Sequence, residues 1–97
     1  MSVMRHLMIR GRVQGVGYRA FVEDVAFDHG LAGWVRNRRN GAVEAVFAGS
    51  PAAVAQVAAA CRRGPPGARV DSVEEREATQ DEFALSGGAG FAAARRT

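Results

Sequence analysis

Two stretches of helical period alternate with strand-like runs in this chain, and that alternation limits the folds open to it. Tyr18, Phe21, Val22 and Val25 recur at i, i+3, i+4 and i+7, the spacing of one apolar helix face, while Glu23, Asp24 and Asp28 lie off the stripe. Val54, Val57, Ala58 and Cys61 repeat the pattern. Ser50 and Pro51 suit the N-cap and first position of the second helix, and Gly30 suits the end of the first. Residues 3–9, 32–38 and 42–48 are runs of extended-favouring side chains, and residues 68–79 form a fourth, more polar run that fits a sheet edge. Asn40-Gly41 joins the middle pair and predicts a type I′ hairpin turn, with positive φ at both residues.

The resulting order is β-α-β-β-α-β. It predicts an α+β fold, the ferredoxin-like split βαβ plait (βαββαβ): an antiparallel sheet with two helices on one face. A short extra C-terminal strand is expected over residues 91–95. At 97 residues, 47% of them hydrophobic, the chain is expected to form one domain over 1–97, with 85–97 flexible around its Gly-Gly-Ala-Gly stretch. The plait serves many functions, so fold alone assigns none.

Charge narrows the choice. The 13 basic residues are all arginines, and the formal net charge is +3. Residues 1–40 carry seven arginines against three acids, whereas residues 70–82 carry six acids against Arg76. A basic half attracts anions: phosphorylated small molecules, nucleic acid or an anionic membrane. The single cysteine, Cys61, rules out an intramolecular disulfide and a multi-cysteine metal site. No apolar stretch approaches the ~20 residues of a membrane span, and the N-terminus lacks a signal-peptide pattern, so the expected location is the cytoplasm.

The most informative segment is GRVQGVGYR, residues 11–19. Glycines between a strand and a helix let successive backbone N–H groups turn toward one point, an anion nest reinforced by the helix start. Arg19 adds a two-pronged donor for phosphate oxygens. On residue types alone, a tight turn beside a solvated arginine is an equal alternative. Two other phosphate loops are excluded. A Walker loop requires lysine, which the chain lacks. A cysteine phosphatase places its nucleophile six residues before the arginine, where this chain has Val13.

GRVQGVGYR resembles the acylphosphatase signature Gly-x-Val-Gln-Gly-Val-x-Phe/Tyr-Arg. Residues 33–44, GWVRNRRNGAVE, resemble the family's second signature, Gly-x-Val-x-Asn followed by a turn and Gly-x-Val-Glu. Both stand in the family's order and separation. The resemblance is closest over residues 3–50 and extends to about 75; Asn40 stands where the family often has aspartate. It implies hydrolysis of acyl phosphates without metal or cofactor. Arg19 would bind phosphate and Asn37 would orient water, with the backbone amides of Gln14, Gly15, Val16, Gly17, Tyr18 and Arg19 as the phosphate cradle. The implied partners are a small-molecule acyl phosphate and water, without nucleic acid or membrane, and the expected state is a monomer.

The chemistry fits these residue types. Acyl phosphates expel a carboxylate, a weak base that needs no general acid. Phosphoryl transfer depends mainly on positioning and charge stabilisation. Asn37 is neutral, but its carboxamide both donates and accepts, so it can hold water at a fixed angle. By alternation Asn37 shares a strand face with Val35; taken alone, it is more simply a hairpin residue capping its own turn. The other singular residues have plainer readings. His6 and His29 are isolated, Cys61 is a core thiol, Trp34 is a packing or partly exposed strand residue, and Arg36, Arg38 and Arg39 form a solvated charged face. Two alternatives remain: a non-catalytic acyl- or carbamoyl-phosphate-binding domain, and an RNA-binding plait, for which Phe47 is the lone aromatic of the third strand.

Overall fold

Period-two alternation sorts the strand residues onto two faces of one sheet. The computed structural model describes residues 1–86 and 90–93. Its elements are β1 (Val3–Arg12), α1 (Tyr18–Asp28), β2 (Ala32–Asn37), β3 (Val43–Gly49), α2 (Pro51–Arg63), β4 (Arg69–Glu77), the short helix α3 (Gln80–Phe83) continued by a 3-10 turn (Ala84–Ser86), and β5 (Phe91–Ala93). The strands lie in the order β4-β1-β3-β2-β5. The first four pair antiparallel, giving the plait that the element order implied. β4 occupies an edge. β5 runs parallel to β2, and Phe91 stacks on Phe47 at 5.6 Å between ring centroids. Residues 94 and 95 of the expected last run, and residues 87–89 within the glycine stretch, lie outside the described residues.

One sheet face carries the main core. Leu7, Ile9, Val35, Val43, Ala45 and Phe47 pack with Val22 and Ala26 of α1 and with Val54, Val57 and Cys61 of α2. Ser50 caps α2 through its Oγ, with Pro51 next, as the residue types required. Gly30 closes α1 at φ 67°, where Gly30 N–H donates to the Phe27 carbonyl and Leu31 N–H to that of Ala26. These are the paired bonds of a Schellman end.

Four local expectations are corrected. β1 does not stop before Gly11: a register shift between Arg10 and Gly11 lets it continue along β4 to Arg12. The hairpin turn is not type I′, because among the described residues no non-glycine has positive φ, and only Gly41 of the pair adopts it. Gly41 N–H donates to the Arg38 carbonyl and Arg38 N–H to that of Ala42, a three-residue loop in which glycine takes the left-handed position. Asn40, not Asn37, caps this turn, accepting from Ala42 N–H at 3.0 Å.

The fourth correction concerns what covers the outer sheet face, where Trp34 does pack, as one of its two readings had it. Trp34 is fully buried there with Val46 and Ala78 beneath Met4 and Phe83, and its Nε1–H donates to the Glu82 carbonyl of α3. That helix was not foreseen, although Thr79 and Glu82 form a reciprocal capping box at its start. Nor is His6 isolated: it lies buried at 2.6 Å from Glu44, which also accepts from Arg36 and Arg38.

Candidate active site

The loop between β1 and α1 is shaped by two left-handed glycines, Gly15 at φ 75° and Gly17 at φ 77°. A Cβ at either would meet nothing within 4 Å, so the backbone conformation, not crowding, calls for glycine. Gly17 is also the N-cap of α1, and no side chain caps this helix. Among the described residues, no protein group accepts from the amides of residues 15–19. They form the unpaired, positively polarised start of the helix.

Tyr18 fixes that start. Its ring is buried against Phe21, and its hydroxyl donates to the Cys61 carbonyl of α2 at 2.6 Å. Burial and the neighbouring Cys61 push the Tyr18 hydroxyl's pKa upward, so it remains a neutral anchor. With Tyr18 tied to α2, the half-exposed Arg19 is set one residue into the helix, beside the loop.

Asn37 is the last residue of β2, opposite Val43 of β3. Its side chain and that of Arg19 make no hydrogen bond or ion pair among the described residues. Both residues line one cavity of about 230 Å³ together with Gln14, Gly15, Gly17 and Tyr18; Val13 and Ala20 complete its wall. Such a volume holds several waters or a small anion. Val16, the remaining residue of the expected cradle, does not line the cavity; its side chain packs against the core. Larger hollows, of about 340 Å³ on the outer face of β1 and β4, about 450 Å³ between β1, β4 and the start of α2, and about 450 Å³ between α1 and α2, include neither the glycine loop nor Arg19 and Asn37.

Two contributions were not foreseen. The Gln14 side chain, expected to offer only its backbone amide, reaches the β2–β3 hairpin and donates to two of its carbonyls. The three arginines around that hairpin are also not uniformly solvated. Arg36 and Arg38 each donate to Glu44 Oε1 at 2.8 Å, and Arg36 also lies 4.8 Å from the centroid of Trp34. Burial alone would raise the Glu44 pKa, but hydrogen bonds from His6, Arg38 and Arg36 outweigh it and hold the carboxyl at about 2. Glu44 is therefore a fixed anion beneath the hairpin. Among the described residues, no three His, Cys, Asp or Glu side chains converge as metal ligands, and no helix is long and apolar enough to cross a membrane.

With this geometry in view, comparisons with known proteins agree with one another. A family model described as Acylphosphatase matches residues 5–92. An acylphosphatase of Bradyrhizobium diazoefficiens is 63% identical over 79 residues, which cover 81% of this chain and 80% of the relative. Among solved structures, the acylphosphatase of Bacillus subtilis superposes with a TM-score of 0.85 at 34% identity, covering 98% of this chain and 100% of that one. Full-length HypF, solved in a phosphate- and nucleotide-bound form, matches with a TM-score of 0.84 at 25% identity over 99% of this chain but only 12% of its own.

Proposed function

Since this chain belongs to the acylphosphatase family and hydrolyses acyl phosphates to carboxylate and inorganic phosphate, we propose that the cavity between the β1–α1 loop and the end of β2 is where water cleaves the carboxyl–phosphate anhydride. One observation carries this reading: the two segments that match the family's signatures bring an unpaired guanidinium, an unpaired carboxamide and free backbone amides to a single cavity.

Arg19 and the loop amides take the phosphoryl oxygens, neutralising charge that spreads over them as the bond to the leaving group lengthens. Asn37 holds a water on the opposite side of phosphorus, its carboxamide accepting from the water or donating to it. The water oxygen forms the new P–O bond, the bond to the carboxylate oxygen breaks, and the water's proton passes to a phosphoryl oxygen. The carboxylate departs with the bonding electrons and needs no acid, so the reaction requires neither metal nor cofactor. The guanidinium and amides supply the positive field a metal would otherwise give.

A small acyl phosphate, not a nucleic acid, suits this site. Phe47, the aromatic that an RNA-binding plait would use for stacking, is buried in the helix-side core under Phe91. We further infer a cytoplasmic monomer, in keeping with the buried free thiol of Cys61; light scattering on purified protein tests the monomer. Benzoyl phosphate hydrolysis tests the site. Arg19→Ala should lower kcat/KM by about 100- to 1000-fold, the scale for losing an oxyanion donor. Asn37→Ala should reduce kcat more than it raises KM, since orientation of water matters only in the transition state. Wild-type activity in Arg19→Ala would overturn the assignment.

A further inference from the structure

The anion loop and the Asn37 hairpin come from distant parts of the chain, yet one side chain joins them. Gln14 Nε2 donates to the Arg38 carbonyl at 2.7 Å and to the Ala42 carbonyl at 2.8 Å. Those carbonyls flank a single turn: Arg38 N–H donates to Ala42 O, Arg38 directly follows Asn37, and Ala42 directly precedes Val43, which pairs with Asn37. Two carbonyl acceptors require the NH₂ end of the carboxamide, so its orientation is determined by its partners. With both hydrogens committed to the hairpin, only Oε1 remains, and an acceptor does not bind phosphate oxygens. Gln14 nevertheless lines the cavity.

Resting on the roles given above to Arg19 and Asn37, we propose that Gln14 is a positioning residue whose side-chain amide sets the spacing between the phosphate loop and the water-holding asparagine. Asn37 has no side-chain hydrogen bond of its own among the described residues, so its place depends on the backbone that carries it. Gln14 holds that backbone from the loop side, one residue beyond Asn37. Glu44 holds the Arg38 side chain from the outer sheet face. The phosphoryl group and the attacking water are thereby kept in register by a brace that touches neither.

The test compares Gln14→Met, of similar reach but without a donor, with Gln14→Glu. Each is assayed with benzoyl phosphate for kcat and KM, and with orthophosphate as competitive inhibitor. In Gln14→Met, kcat should fall by about 10- to 100-fold, as for a misplacement on the order of 1 Å, while orthophosphate inhibition stays as in wild type. In Gln14→Glu, the carboxylate has no hydrogen to donate at neutral pH. As acid restores a single O–H donor, one of the two bonds to the hairpin can return, and kcat relative to wild type should recover in part. Unchanged kcat in Gln14→Met, or weaker orthophosphate binding in proportion to lost activity, would overturn the proposal; so would absence of acid recovery in Gln14→Glu. Should Gln14→Met not fold, Gln14→Asn, which keeps the donor but shortens its reach, gives the same readings. Failure of the underlying site assignment appears separately, as retained activity and orthophosphate binding in Arg19→Ala.

Discussion

Glu44→Gln probes the ion network beneath the hairpin. The Glu44 side chain is only 8% exposed and both oxygens are occupied, Oε2 by His6 Nε2 at 2.6 Å and Oε1 by Arg36 and Arg38 at 2.8 Å each. Glu82 of α3 comes within 4.0 Å of His6 and is itself paired with Arg76. The Glu44 carboxyl is held at about 2 against an ordinary 4.5. A gap of that size, at ~1.4 kcal/mol per pKa unit, corresponds to about 3 kcal/mol of folding stability. Because the folded value lies below the unfolded one, this stability is present above the unfolded pKa and is lost as pH falls through the folded pKa. At neutral pH, Glu44→Gln should therefore cost about 3 kcal/mol, roughly 12–24 °C in Tm for a chain of this length. The difference from wild type should shrink to about 1 kcal/mol by pH ~3. Urea unfolding of both proteins across that pH range measures it. A cost that does not vary with pH would show that Glu44 acts through packing; no cost at neutral pH would show that desolvation cancels its ion pairs.

Three further outcomes are expected. EDTA should leave benzoyl phosphate hydrolysis unchanged, and a rate that depends on added Mg²⁺ would contradict the metal-free route. Gly33→Ala should destabilise by more than ~2 kcal/mol in thermal denaturation, since its Cβ would lie 1.9 Å from the Val46 carbonyl oxygen at φ 130°. Cys61, 1% exposed and with its thiol pushed up to about 12, chiefly by burial, should resist thiol-labelling reagents in the folded protein and react readily in urea.

The elements that place the site were legible because their signals are local. Ser50-Pro51 marks the start of α2, the Tyr18-to-Val25 stripe marks α1, and the glycines of GRVQGVGYR mark the loop, each within a few residues. The hairpin was legible only in part. Asn40-Gly41 is compatible with either turn, because a left-handed glycine alone suffices for the three-residue loop. The outer face was read least well. His6 and Glu44 are 38 residues apart, and their contact follows from strand register and facing, which composition does not reveal. The same holds for Gln14, whose side-chain partners lie 24 and 28 residues away. The Thr79–Glu82 capping box was a local signal for α3, masked by the polar run of β4 before it.

The outermost strand on the β1 side has a consequence for crowded conditions. A second molecule seeking to extend the sheet along β4 would meet Arg69, Asp71, Glu74 and Arg76, all exposed, on a border whose ladder is kinked where Arg10 gives way to Gly11. Mixed charge and local irregularity oppose the flat, apolar docking from which fibrils grow. Both features weigh against growth of the sheet by copies of the same chain along that free margin.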